Sequence, residues 1–173
     1  MVDYACYNTI SGGYCNNITL SSFDSIGGGN QNCICYASNG SVIGGGFNNF
    51  IGGTQDGWQC MSFIGSGQYN CITGAVSGGQ ASYGVIPGGC NNTISNSTFS
   101  AILGGSGNTV SAGYDHVGIF GKNITNVRSN AFHANCMIAC DTPNVASGPF
   151  LPGTFFWKAG NTLLSTDKVL VLQ

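Results

Sequence analysis

One short pattern recurs in register along most of this chain: Ile-x-Gly-Gly-x-x-Asn-x-Ile. Six copies begin at Ile10, Ile26, Ile43, Ile64, Ile86 and Ile102. The asparagine always stands six residues after the first isoleucine, at Asn16, Asn32, Asn49, Asn70, Asn92 and Asn108. Self-similarity at a nearly fixed period indicates a stack of small repeated units, each of which buries its apolar side against the next.

The distance between copies sets the size of the unit. Successive first isoleucines are 16, 17, 21, 22, 16 and 17 residues apart, counting a seventh, degenerate copy that runs from Ile119 through Gly121 and Thr125 to Val127. Apolar residues about eight positions apart predict two short strands per coil, separated by turns. Stacked coils would align the isoleucines in core columns, and the extra residues of the two long copies would form loops on one face.

Glycine and asparagine suit the turns between these strands. Every copy carries a Gly-Gly pair except one, which has Ser66 and Gly67 instead. Glycine adopts positive φ and lets neighbouring backbones approach closely. Asparagine tolerates the left-handed region, and a column of identical amides can hydrogen-bond along the stack. We therefore assign the six repeat asparagines to turn formation rather than to ligand binding.

Composition favours an all-β chain and argues against several functions. There are 29 glycines, no glutamate and only 6% charged residues, so the chain lacks the residues that sustain long helices. A net charge of −2 with four basic residues does not suit nucleic-acid binding, which depends on clustered Lys and Arg. No apolar run approaches the length of a membrane-spanning helix. We expect no nucleic-acid partner, no membrane insertion and no cofactor.

The small size of the coil and the end of the repeat predict an assembly and a second domain. A coil of about sixteen residues encloses only a thin core. A surface so poor in charge is a solubility problem for a monomer, and threefold association about the long axis would bury one face of each protomer. The sequence therefore predicts a homotrimer. Beyond Val127 the repeat gives way to prolines and an aromatic cluster that includes Phe155, Phe156 and Trp157. We assign residues 1–127 to a repeat domain and residues 128–173 to a β-rich trimer cap.

The cysteines do not read as a disulfide framework, because there are nine of them and their spacing follows the repeat. We expect most to be small buried apolar residues, with Cys33 and Cys35 on one face of a strand. The nearest approach to a metal site is the group His133, Cys136 and Cys140. Its spacing matches no standard site, so we assign no metal.

The acidic residues do not indicate an enzyme. Glycoside hydrolysis usually needs two positioned carboxylates, and Asp56, in the first long copy, has no evident partner. Asp115 and His116 are adjacent, and adjacent side chains of an extended chain point apart. We predict no catalytic residues.

The repeats resemble those in the head domains of trimeric autotransporter adhesins. The segments concerned include SVIGGGFNNFI (41–51), YGVIPGGCNN (83–92) and SAILGGSGNTVS (100–111). Similar repeats occur in phage tail fibres and in fibre proteins of large viruses. Over residues 8–127, the resemblance implies a left-handed parallel β-roll of about seven coils in an intertwined homotrimer that binds host or matrix surfaces. No contact residue of that family can be transferred to this chain.

These observations predict a structural fibre protein of the viral or phage tail-fibre type, which attaches a virion or an extracellular appendage to a host-surface glycan or protein receptor. The predicted contact residues come from the two long copies: Gln55, Asp56, Trp58, Gln80 and Tyr83. Three alternatives stay open. They are a purely structural filament or shaft subunit, a bacterial trimeric adhesin head, and an ice-binding solenoid.

Overall fold

The protein is a parallel β-solenoid, as the repeat predicts. The computed structural model describes residues 6–36, 38–53, 59–74 and 81–135. These residues form about six turns of parallel strands, with no helix among them, and hence none that could cross a membrane. They belong to the first of two units in the chain, Met1–Cys136 and Met137–Gln173. The all-β solenoid is confirmed, whereas its handedness, the homotrimer and the cap stay predictions.

The described residues form seventeen short strands. In chain order they are β1 (Thr9–Ile10), β2 (Asn17–Thr19), β3 (Ser25–Ile26), β4 (Cys33–Cys35), β5 (Ser38–Asn39), β6 (Val42–Ile43), β7 (Phe50–Gly52), β8 (Gln59–Cys60), β9 (Phe63–Ile64), β10 (Cys71–Thr73), β11 (Ala81–Ser82), β12 (Val85–Ile86), β13 (Thr93–Ser95), β14 (Ala101–Ser106), β15 (Thr109–Val110), β16 (Val117–Lys122) and β17 (Ala131–Ala134).

Three parallel sheets wrap the coil. The eight-stranded sheet has the order β1-β3-β6-β9-β12-β14-β16-β17, the six-stranded sheet has the order β15-β13-β10-β7-β4-β2, and the three-stranded sheet has the order β11-β8-β5. All neighbouring strands are parallel. The chain therefore returns to the same sheet once per coil, one strand spacing further along the stack.

The isoleucines form the two core columns that the sequence predicts. Ile26 pairs with Ile43 in the eight-stranded sheet, and Ile34 pairs with Ile51 in the six-stranded sheet. The fully buried members are Ile26, Ile34, Ile43, Ile51, Ile64, Ile72, Ile86, Ile94, Ile102, Val110 and Ile119. Each such burial stabilises the fold by roughly 1.5–3 kcal/mol. Ile10, in the first strand, is 44% exposed.

The repeat asparagines form a hydrogen-bonded column inside one corner of the coil. The Asn32 Oδ1 atom accepts the N–H of Asn49 at 3.0 Å. The Asn49 side chain donates to the Gly45 carbonyl of its own coil at 3.0 Å and to the Gly67 carbonyl of the next coil at 3.0 Å. The same contacts recur from Asn16 to Asn108. The predicted ladder is confirmed, and each amide closes its own turn and joins two coils.

The second glycine of each pair is a packing requirement as well as a turn. Gly46 has φ 94°, and a Cβ there would overlap the Gly67 carbonyl oxygen and lie 2.7 Å from the Asn49 Nδ2 atom. Gly45, the first of the pair, would have nothing within 4 Å of a Cβ. Since only the second position lacks room, Ser66 is tolerated at the first position of its copy and Gly67 remains at the second.

The two long copies keep the register of the stack. Ile43 pairs with Ile64, and Ile64 with Ile86, across both insertions. In each case the extra residues join the six-stranded sheet to the three-stranded sheet, through 53–58 between β7 and β8 and through 74–80 between β10 and β11. The insertions therefore leave the coil at the same place, as predicted for loops on one face.

The degenerate seventh copy departs from its predicted register. Thr109 pairs with Thr125, so Val110 lies beside Asn126 rather than Val127. Asn126 is buried and Val127 is 75% exposed, and the prediction that Val127 closes the copy is wrong. The last copy has one residue fewer than the other copies between Ile119 and the core position of the six-stranded sheet. Strand β17 adds a further rung beyond residue 127, and most residues of the predicted cap lie outside the described part of the chain.

A second inward column carries a buried carboxyl group. The Asn8 Oδ1 atom accepts the Asp24 N–H at 3.0 Å, and the Asp24 Oδ1 atom accepts the Ser41 N–H at 2.7 Å. Asp24 is 1% exposed. Burial raises the pKa of Asp24 above its ordinary value, and the Ser21 hydroxyl and the N–H groups of Ser41 and Gly40 lower it by less. The ionised form of Asp24 therefore destabilises the fold.

We predict that replacement by alanine destabilises the protein much more at the second glycine of a pair than at the first. Gly46→Ala should lower the free energy of unfolding by more than about 2 kcal/mol, because it adds backbone strain and a clash with the next coil. Gly45→Ala should change it by less than about 1 kcal/mol. Urea unfolding of both variants measures the difference. Equal effects would contradict the close approach described for Gly46.

We also predict that Asp24→Asn stabilises the protein at neutral pH. Because the folded-state pKa is raised, the contribution of Asp24 to stability is complete below about pH 4 and is lost as the pH rises through the folded-state value. An asparagine keeps the Oδ1 acceptor for Ser41, as Asn8 does one coil earlier. The variant should gain about 1 kcal/mol at pH 7 and little at pH 3.5. A variant less stable than wild type at pH 7 would refute this.

Candidate functional site

One exposed corner of the coil carries a column of side chains in an unusual backbone conformation. Its residues precede the strands of the eight-stranded sheet and have φ between 50° and 74°. We call seven of them the corner ladder: Tyr7, Phe23, Gly40, Met61, Tyr83, Phe99 and His116. Asn130, before β17, continues the column with φ 53°. Positive φ is uncommon for residues other than glycine, and for bulky side chains it is a genuine outlier. The same conformation recurs at a second corner, before the strands of the six-stranded sheet, at Cys15, Gln31, Asn48, Tyr69, Asn91, Gly107 and Asn123. Positive φ is therefore a feature of the turns of this coil, and the stacked rings distinguish the corner ladder.

The rings of the corner ladder stack on one another. The rings of Tyr7 and Phe23 are stacked with nearly parallel planes, with centroids 5.1 Å apart and an interplanar angle of 12°. Phe99 lies between Tyr83 at 4.8 Å and His116 at 5.3 Å. These distances follow the spacing of the strands, about 4.8 Å, because the same backbone conformation in successive coils directs each ring the same way. They also fall within the range of favourable aromatic stacking.

The ladder remains largely open to solvent. Tyr7 is 79% exposed and Phe23 is 63% exposed. A core role therefore does not explain these aromatics, and their stacking leaves ring edges and the end faces of each stack available to a partner. Left-handed backbone at such positions costs of order 1 kcal/mol each, and this cost recurs at the turns of every coil.

An apolar face adjoins the ladder along the later coils. We give this name to outward-facing residues in the strands of the eight-stranded sheet or directly after them: Phe63, Val85, Pro87, Leu103, Phe120 and Phe132. Phe120 and Phe132 are more than half exposed. The equivalent positions in the first two coils are Thr9 and Ser25, and the Gly40 coil has Val42, so the face is apolar from the Gly40 coil onward.

Of the five predicted contact residues, the structure describes Tyr83 alone. Tyr83 belongs to the corner ladder and stacks on Phe99. The others lie outside the described residues, as do two of the three residues of the weak metal group: Gln55, Asp56, Trp58, Gln80, Cys136 and Cys140. Both predicted contact loops precede the three-stranded sheet, and Met61 and Tyr83 follow it directly.

His133 is an inward residue of the stack. Strand β17 places it in register with Ile119, at the end of the core column, and its Nε2 atom is buried without a hydrogen-bond partner in the described structure. Within the ranges that the structure describes, no three His, Cys or Asp side chains converge as metal ligands.

The cysteines depart from the expectation of burial. All six with described side chains are free thiols, but only Cys35 is buried, whereas Cys6 and Cys15 are exposed. Inward positions are taken by isoleucine and asparagine, so cysteine falls mostly at outward or turn positions. Cys33 and Cys35 do share a strand face on either side of Ile34, as predicted. The Cys35 thiol beside it lowers the pKa of Cys33, and the same contact raises the pKa of Cys35.

The side chains of Asp115 and His116 make separate contacts. The Asp115 Oδ1 atom accepts the Thr98 N–H at 2.7 Å, and this hydrogen bond lowers the pKa of Asp115. His116 instead extends the aromatic stack on Phe99. The described ranges carry few charges, namely Asp24, Asp115, Lys122 and Arg128 beside the two histidines.

The corner ladder escaped the sequence analysis although a signal was present. Each of its members stands three residues before a first isoleucine of the repeat, from Tyr7 before Ile10 to His116 before Ile119. The position conserves no single residue type along the chain, because it holds Tyr, Phe, Gly, Met and His in turn. Only the backbone conformation shows that these residues share one corner.

The sequence matches no protein-family model, and no curated protein matches it. A proposal about function therefore depends on the corner ladder and on the apolar face beside it.

Proposed function

We propose that this chain is a structural fibre protein that attaches a virion or an extracellular appendage to a surface, by binding a host glycan as a homotrimer. The single observation that carries the proposal is the exposed corner ladder, a row of aromatic side chains held on a stiff, charge-poor scaffold. Aromatic groups with an apolar body and an exposed edge are typical of binding surfaces. The proposed fold of the whole assembly is a left-handed β-roll with a C-terminal β cap.

The apolar face supports association of three copies. The aromatic residues of this face are Phe63, Phe120 and Phe132, and all are between 39% and 54% exposed. At roughly 150–250 Å² per aromatic side chain, they leave roughly 200–350 Å² of exposed aromatic surface. With Leu103 and Pro87 added, the face has the size of the largest apolar patch on a typical monomer, and such patches are commonly interaction sites.

We predict that the apolar face determines the oligomeric state. Wild-type protein should have three times the 17.7 kDa protomer mass by light scattering. The double variant Leu103→Asp, Phe120→Asp should be monomeric, because it places charges where the copies meet. Tyr14→Asp, at a 68% exposed position of another column, is the matched control and should stay trimeric. A monomeric wild-type protein would refute the homotrimer.

Attachment through a neutral glycan fits the chemistry of the corner. The ladder combines aromatic rings with nearby hydroxyl and amide side chains, and ionic groups are scarce in the described surface. Both predicted contact loops join the chain just before ladder residues, so that Trp58 precedes Met61 by three positions and Gln80 precedes Tyr83 by three. Loops carried on a rigid repeat are a common arrangement for binding surfaces.

We predict that the trimer binds glycans displayed on an array, and that Trp58→Ala combined with Tyr83→Ala weakens the binding at least about tenfold, the effect of losing roughly 1.4 kcal/mol of aromatic contact. The variant should remain trimeric, and its melting temperature should be close to that of the wild-type protein. Tyr14→Ala should bind like wild type. Unchanged binding by the double variant would remove these residues from the site, and a wild-type protein that binds no glycan would refute the proposed ligand.

A purely structural filament is the second candidate. The described surface, rich in glycine and poor in charge, is compatible with it. Electron microscopy of purified protein separates the two, because a filament subunit would form long polymers and an attachment fibre would appear as discrete trimers. An ice-binding face finds less support, because Cys33, Phe50 and Cys71 occupy the column of Thr93 and Thr109.

A further inference from the structure

We infer that Gly40 forms a gap in the corner ladder and that one pyranose ring of a neutral glycan binds in this gap, between Phe23 and Met61. This inference rests on the proposed attachment function and deepens it, since it names the place on the chain and the part of the ligand. The ligand ring would take the position of the missing side chain and complete the stack.

Gly40 belongs to the ladder in every respect except its side chain. Its φ of 74° lies with those of Phe23 at 62° and Met61 at 51°. Among the described residues, a Cβ built on Gly40 would have a single neighbour within 4 Å outside the adjacent residues of the chain, the Met61 Cγ atom at 3.7 Å. The left-handed backbone is that of the other coils, and no other described side chain reaches this position.

The gap has the length of one six-membered ring. Phe23 and Met61 lie on coils two rungs apart, roughly 9–10 Å at the spacing of parallel strands. A single ring between them takes up about 7–8 Å at contact distances of about 3.5–4.0 Å on each side, and the Met61 side chain, whose Cγ atom lies 3.7 Å from the Cβ position of Gly40, takes up part of the rest. One face of Phe23 is covered by Tyr7, at 5.1 Å. The opposite face is directed along the stack toward the Gly40 coil, where the ladder supplies no side chain.

The two walls of the gap suit the apolar face of a sugar. The face of an aromatic ring carries partial negative charge and attracts the weakly positive C–H groups on one side of a pyranose. Met61 is 62% exposed, and its unbranched thioether adapts its shape to whatever occupies the neighbouring space. A ligand ring would thus be held between a rigid aromatic wall and an adaptable one.

Polar groups near the gap favour a sugar over an aromatic ligand. Asn39 directly precedes Gly40 and is only partly buried, and its side-chain amide makes no hydrogen bond within the described ranges. The outward Ser25 hydroxyl follows Phe23 by two positions. Asp24 points inward and is buried. The described residues around the gap therefore offer hydrogen bonds without charge, and a hydroxyl-bearing, neutral ring matches them.

Filling the gap tests the inference directly. Gly40→Tyr adds the missing rung, and the coil accepts it because Tyr7 and Tyr83 hold the same conformation, at φ 60° and 66°. Phe23→Ala removes the rigid wall. Binding is measured by saturation-transfer NMR with the methyl glycosides of glucose, galactose and mannose, and on a glycan array, using the full-length chain. Both variants should lose at least about tenfold in affinity, and the C–H protons of the sugar should show ring-current shifts in wild type that Phe23→Ala abolishes.

Controls separate this site from the general attachment function. Tyr14→Ala, which removes an exposed aromatic outside the ladder, should bind as wild type, and thermal melting establishes that each variant is folded. A folded Gly40→Tyr protein that binds like wild type would overturn the gap as the site while leaving attachment in place. Wild-type protein that binds neither the methyl glycosides nor any array glycan would overturn both. If Phe23→Ala fails to fold, the outcome for Gly40→Tyr decides.

Discussion

The hydrogen bonds of the asparagine column hold each coil of this protein at a fixed distance from the next. Every repeat amide joins its own turn to the turn of the following coil, as Asn49 does through the Gly45 and Gly67 carbonyls. Buried amides of this kind are costly if left unpaired, so a coil cannot shift along the stack without losing several bonds together. The same closeness leaves no room for a Cβ on Gly46. The polar corner thus sets the register that the isoleucine columns then fill.

A fixed register turns a single backbone conformation into a continuous surface. Because every coil reaches the corner in the same left-handed state, residues far apart in sequence, such as Tyr83 and Phe99, come to lie one above the other. Changing one residue there alters one rung and leaves the core untouched. The chain uses this freedom unevenly, since the first coils carry Thr9 and Ser25 beside the ladder and the later coils carry Phe63 and Val85. The proposed ligand gap accordingly lies where the proposed trimer face begins.

The fold could be predicted from the sequence wherever one residue type recurs at one position. Ile26, Asn32 and the glycine pairs reveal the columns because the core, the asparagine column and the turn each accept essentially one residue type. The corner position admits many side chains, so Tyr83 was identified only through its place in a long copy, and its relation to Phe99 went unseen. The cysteines misled for a related reason, as Cys33 and Cys71 follow the period of the repeat from its outward side. In the last copy, the loss of one residue moved Asn126 into the place expected for Val127.

The direction of the backbone hydrogen bonds has a mechanical consequence. All of the sheets are parallel ladders between successive coils, so their hydrogen bonds run along the stacking axis, while the covalent chain circles around it. A pull along the axis would load the bonds of every rung at once, because the rungs are linked in series, and bending would stretch the same bonds on its outer side. The strength of a tether built from such a protomer would be that of its weakest rung, and lateral contact between neighbouring copies would let it bear more tension.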